Sequence, residues 1–171
     1  MKVGRKYDSQ KPSEGSLFMA NMTLLEQRKI EANVLVPLIR AFQSRFGKSD
    51  SNEIVRKVIE EIALKQGHDL AKRSNGTPME KLELLIPRFC EGDAMKLEVL
   101  KKSPDAYDFN VTSCKYAEFY KDMGVPDLGF LLSCSRDFAL TKGISRKLDL
   151  FRTRTIMQGD THCDFRFRIK E

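Results

Sequence analysis

The apolar residues of this chain keep a helical spacing up to about Arg88, alternate one by one over 95–111, return to helical spacing and alternate again from Leu148. A helical period lays an apolar stripe along a helix, and a two-residue period lays an apolar face on a strand. A helical half followed by sheet is therefore expected. Over residues 22–46, Leu25, Ile30, Val34, Leu38 and Phe42 fall near one stripe, which reads as the inward face. Pro37 is expected to interrupt or kink this helix and Gly47 to cap its end. Ser51 or Asp50 caps a second helix to about residue 72, with Ile54, Val55, Val58, Ile59 and Ile62 facing inward. Asn75-Gly76-Thr77-Pro78 breaks the chain before a third helix over about 79–88. The alternation of Met95, Leu97 and Val99 with Tyr107, Phe109 and Val111, around Ser103-Pro104-Asp105, predicts a hairpin. A short helix from Cys114 ends at Gly124, and a longer one opens at Pro126 and ends at Gly143. Strands over 148–157 and 163–169 close the chain. This order predicts an α+β fold: helices packed on one face of a roughly four-stranded antiparallel sheet, with a helical N-terminal half. Residues 1–20 are expected to form a flexible arm. Residues 21–171 read as a single domain, long enough to bury a core without disulfides or metal.

The charge of +6 is scattered among acidic residues along the helical stretches, as on a solvated face. There is no Lys/Arg block, zinc-finger spacing or aromatic RNA-binding signature, so a small-molecule substrate is expected rather than nucleic acid. No apolar run has the length of a membrane span, and residues 1–20 lack a signal-peptide core. Four cysteines are too few for a disulfide scaffold in a chain of this size, which points to reduced thiols and a cytoplasmic setting.

The chemistry concentrates late in the chain. Cys114 follows a strand and opens a helix, where free N–H groups and the helix dipole would favour a thiolate. Cys134 and Asp137 are three apart on the next helix and share a face. Cys163 opens the last strand between His162 and Asp164. Any one thiol alone reads as a small buried hydrophobe. Three thiols with Asp137, Asp164 and His162 in their motifs read as a site. They suit nucleophilic or acid/base chemistry, or soft metal ligation by Cys114, Cys134 and Cys163, although the spacing matches no closed finger. Arg152 and Arg154 alternate on one strand; they clamp a carboxylate or simply face solvent. Tyr116, Phe119 and Tyr120 lie at helical spacing and read first as core.

Four stretches in order carry a resemblance to a known family: Phe109-Asn110-Val111-Thr112-Ser113-Cys114-Lys115-Tyr116-Ala117-Glu118, Leu131-Leu132-Ser133-Cys134-Ser135-Arg136-Asp137-Phe138-Ala139, Arg154-Thr155-Ile156-Met157-Gln158-Gly159-Asp160 and His162-Cys163-Asp164-Phe165-Arg166. With Glu31 to Leu38 in the helical half, they resemble the bacterial L-2-amino-thiazoline-4-carboxylic acid hydrolase family over nearly the whole chain beyond residue 20. The resemblance implies hydrolytic opening of a thiazoline ring to N-carbamoyl-L-cysteine, a step towards cysteine biosynthesis. It marks Cys114, Glu118, Cys134, Asp137, Cys163 and Asp164. The C-terminal pattern is also similar to 4-vinyl-reductase-like sensor domains, which carry cysteines near the positions of Cys134 and Cys163 and can hold zinc; Thr155 stands where those domains have another Cys.

Three functions follow as expectations. The first is a hydrolase of a C–N bond in a cyclic amidine-like substrate. Cys114, or a water activated by Asp137, attacks the ring carbon. Asp164 or His162 protonates the leaving nitrogen, and Arg154 or Arg166 holds the substrate carboxylate, with Glu118 and Tyr116 lining the site. No cofactor is expected. The second is a small-ligand or zinc-binding sensor using the cysteine cluster. The third is structural, with the thiols as core packing. A homo-oligomer is compatible with each.

Overall fold

The computed structural model describes residues 22–170, so the proposed N-terminal arm lies outside the described residues. Helices α1 (Leu24–Phe46), α2 (Lys48–Arg73) and α3 (Pro78–Cys90) precede strands β1 (Met95–Ser103) and β2 (Ala106–Cys114). Then come α4 (Lys115–Asp122), α5 (Pro126–Gly129), a π turn (Phe130–Cys134) and α6 (Arg136–Ile144). Strand β3 (Leu148–Phe151), a short 3-10 turn (Ile156–Gln158) and β4 (Cys163–Ile169) finish the fold. The sheet is antiparallel in the order β1-β2-β4-β3. The expected α+β architecture is present.

Local chemistry fixes the helix starts. Thr23 with Glu26 and Thr77 with Glu80 form capping boxes, each satisfying N–H groups that the first turn leaves unpaired. Neither Ser51 nor Asp50 caps α2. Gly47 does so at φ 89, a conformation that favours glycine, and it joins α1 to α2 without a loop. Pro37 does not break α1, because it lies on the solvent side, where the carbonyl it leaves unpaired can be hydrated.

The inward faces of α1 and α2 differ from expectation. The buried stripe of α1 is Leu25, Arg28, Ala32, Val36 and Ile39. Ile30, Val34, Leu38 and Phe42 are exposed, as are Ile54, Val58 and Ile62 on α2, where Ile59, Ala63 and Gly67 are buried. The small residues allow α2 to lie against α6. A Cβ on Gly67 would run into the Leu140 carbonyl and the Gly143 backbone, and one on Gly143 into the Leu64 carbonyl.

The core is split between two places. One cluster joins α3, α6 and the inner sheet face through Leu82, Phe109, Val111, Leu148 and Phe167. The other joins α1, α2, α4 and the α5 region through Ala32, Ile59, Tyr120 and Leu128. The outer sheet face is polar, with Arg168 paired to Asp108 and Arg166 bonded to Asn110 at 2.9 Å. β1 is an edge strand with irregularities between Lys96 and Leu97 and between Val99 and Lys101.

β3 is shorter than the alternation over 148–157 suggests. Its ladder with β4 stops at the Phe151–Arg166 pair. Beyond it, the Asp164 carboxylate takes the Thr153 and Arg154 N–H groups at 2.9 and 2.6 Å and the Thr153 hydroxyl at 2.7 Å. A side chain thus replaces the strand as acceptor.

Candidate active site

Between the inner sheet face and the helices lies a cavity of about 440 Å³. Phe109, Val111, Phe165 and Phe167 form its sheet wall, and Leu82, Leu140 and Ile144 contribute from the helices. Its most exposed lining residues, Gln66, Arg73 and Arg88, mark the side open to solvent.

Asp137 is the polar centre. It begins α6 and forms an ion pair with Arg152, whose side chain is only 3% exposed. The guanidinium is held between the rings of Phe138 and Phe165, at 5.2 and 5.0 Å from their centroids. It also donates to the Cys134 carbonyl at 2.9 Å. Asp137 keeps 24% of its side-chain surface, and it lines the cavity. Burial raises its carboxyl above the ordinary aspartate range, while Arg152 opposes that shift. The result is a carboxylate with a fixed orientation and a proton affinity above the ordinary one.

The three thiols line the same cavity. Burial raises all three above the ordinary thiol range. Burial pushes Cys114 up to about 11, outweighing the N–H groups of Ala117 and Tyr116 that face it. The expected thiolate at the helix start is corrected accordingly, because desolvation of an anion costs more than this helix end returns. Cys134 is raised further by burial and by Asp137. Cys163 is raised by burial, although it accepts the Ile156 N–H at 3.3 Å. Among the described residues no group of three or more His, Cys, Asp or Glu is arranged to hold a metal. Cys114, Cys134 and Cys163, with Asp137 or His162 as a fourth ligand, are not arranged as such a group, and Thr155 is held by Gln158 and Asp160.

The remaining expected residues divide. Tyr116 lines the cavity and donates to the Phe89 carbonyl at 3.4 Å; burial raises its hydroxyl. His162 lies outside it, in the turn before β4, against the Thr161 hydroxyl at 3.0 Å. Glu118 is exposed on α4, and Arg154 is exposed beyond β3. Arg166 is on the outer sheet face, donating to the Phe109 carbonyl at 2.9 Å. For Asp164, burial works to raise the carboxyl, but the Thr153 hydroxyl and the neighbouring N–H groups outweigh it. Asp164 is a structural anion holding the chain after β3.

Two residues at the cavity carried no expectation. Arg28 and Arg136 both line it and are both 7% exposed. Arg28 pairs with Glu31, whereas Arg136 donates to Gln66 at 2.6 Å and forms no ion pair among the described residues. Burial, and then Arg28, push the Arg136 guanidinium down to about 10, and it remains a cation at neutral pH. Arg28 is matched by Glu31 and Arg152 by Asp137, so Arg136 leaves one positive charge in excess that an anionic group can fill. Arg28 lies on the buried stripe of α1 between Leu25 and Ala32, and Arg136 opens α6 one turn before Leu140.

These features define an α+β domain whose cavity is lined by an ion-paired carboxylate, Asp137, and by the buried Arg28 and Arg136. The family model for L-2-amino-thiazoline-4-carboxylic acid hydrolase matches residues 27–167, and the chain belongs to that family. No curated protein matches it. In fold it is similar to the crystal structure of the phenol-responsive sensory domain of the transcription activator PoxR with phenol. The TM-score is 0.50 and the identity 13%, covering 79% of this chain and 72% of that one.

Proposed function

We propose that the protein is a hydrolase that opens the ring of a small, carboxylate-bearing cyclic amidine, with L-2-amino-thiazoline-4-carboxylate as the first substrate to test. The observation that carries this is Asp137, which lines the cavity and is held by Arg152. Water adds across the ring C=N bond: its oxygen bonds to the carbon between nitrogen and sulfur, its proton passes to Asp137, and the ring nitrogen takes up a proton. The hydroxyl of the resulting tetrahedral carbon then loses its proton as the carbon–sulfur bond breaks, and the departing sulfur is protonated. The product is N-carbamoyl-L-cysteine. The carbamoyl group stays on nitrogen, so the leaving atom is sulfur rather than the expected nitrogen. One carboxyl can shuttle both protons. Arg136, with Arg28, binds the substrate carboxylate in place of Arg154 or Arg166. The thiols serve as neutral wall.

Incubation with L-2-amino-thiazoline-4-carboxylate should release one free thiol per turnover, read by thiol titration against an enzyme blank. Asp137→Asn should lower kcat by about 10²–10⁴-fold with the circular dichroism unchanged. Retained turnover in that variant would remove Asp137 from the reaction.

A second reading is a receptor for a small ligand. The aromatic wall of Phe109, Phe165 and Phe167 favours it, in a fold shared with a phenol-responsive domain. Saturable binding of the thiazoline or of phenol without thiol release would select it.

A further inference from the structure

The stripes that α1 and α2 turn to solvent form one face. Along α1, Ile30, Val34, Leu38 and Phe42 recur every four residues, as do Ile54, Val58 and Ile62 along α2; all are 43–65% exposed. Helical spacing puts each stripe between the α1–α2 seam, where Val36 and Ile39 meet Val55 and Ile59, and open solvent. The helices meet directly at Gly47, and the two stripes begin and end within two residues of the same distance from it. The face therefore has two ends, and on α2 the Lys65–Asp69 ion pair follows it.

Its exposed apolar area is roughly 700 Å², beyond the 300–600 Å² of the largest patch on a typical monomer and close to the ~800 Å² per partner of a standard interface. Its rim carries both signs, with Arg45, Glu53, Lys57 and Glu61. Glu53 and Lys57 pair with each other, so the rim offers no single sign for a strongly charged partner to match; an apolar face of this area suits a two-fold copy of itself. Of the apolar side chains in residues 1–21, only Leu17-Phe18-Met19-Ala20 are consecutive, a run too short to follow both stripes.

We infer that a second copy of this chain covers this face, hairpin against hairpin, in a two-fold dimer with a four-helix layer at its centre. Arg28 and Gln66 reach the cavity from other faces of α1 and α2, so the dimer leaves the cavity open.

Sedimentation equilibrium of the full chain tests this. Twice the 19.6 kDa chain mass is expected at micromolar concentration. Leu38→Glu combined with Val58→Glu should weaken association at least about 100-fold while circular dichroism keeps its helical signal. Should that variant unfold, hydrogen exchange on the wild type decides. Amides over 30–42 and 54–62 should slow as concentration rises, and slowing confined to other segments would overturn the dimer. So would a wild-type mass of 19.6 kDa throughout, or unweakened association of the double variant. A monomeric full chain that associates only after deletion of residues 1–21 would assign the face to the chain's own N-terminus instead.

Discussion

Arg136 and Arg152 are both buried arginines at the cavity, yet their partners give them different tasks. Arg152 is saturated: it meets the Asp137 carboxylate, the Cys134 carbonyl and two aromatic faces. It positions Asp137. Among the described residues Arg136 donates only to the neutral Gln66 oxygen, which leaves donors for a ligand. Arg136→Gln should raise KM for a carboxylate substrate by about 10–100-fold, the worth of a charge-assisted hydrogen bond, with kcat changed far less. An equal fall in kcat and kcat/KM would instead place Arg136 in the chemistry. Asp164 provides the pH-dependent counterpart in stability. Its carboxyl lies below the usual value of 3.8, so what it contributes is fully present above that value. The contribution fades as acid passes its lower, folded-state pKa. Urea unfolding of Asp164→Asn should show a loss of about 1–2 kcal/mol at neutral pH that shrinks towards zero in strong acid. A loss independent of pH would contradict the role assigned to the charge.

Among the elements, the α2–α6 crossing sets the shape of the cavity. Gly67 and Gly143 let the two backbones touch, and α6 carries Arg136, Asp137, Leu140 and Ile144 into the site from that contact. Gly67→Ala should destabilise the fold by about 1–3 kcal/mol in urea titration, since the methyl group meets backbone that cannot turn aside. An unchanged midpoint would mean that the helices separate freely. The hairpin of β1 and β2, the capped α3 and the short α4 were legible in the sequence, because each carries one apolar period with turn residues at its ends. The faces of α1 and α2 were not. Each of these helices has two apolar stripes, and the buried one is the weaker in hydropathy, built of small residues and, on α1, an arginine. Packing against α4 and α6 chooses between them, and that choice is tertiary. The length of β3 was hidden likewise, since the side chain that ends it belongs to β4.

At the scale of the whole molecule, the candidate site was partly legible. Cys114, Cys134, Cys163 and Asp137 come together at one cavity, as their motifs suggested. Their protonation could not be read locally: a helix start argues for a thiolate, and only the enclosing walls reveal the desolvation that prevents one. Arg28 and Arg136 were missed because a charge within a mixed helix reads as solvated surface. The irregular β1 edge bears on how the molecule associates. Its two register shifts and the adjacent Lys101 and Lys102 deny a further chain a flat ladder to extend. Growth strand by strand into an open fibre is thereby discouraged. The association inferred for the helical hairpin, being two-fold, would close with the pair, a finite assembly rather than an unlimited one.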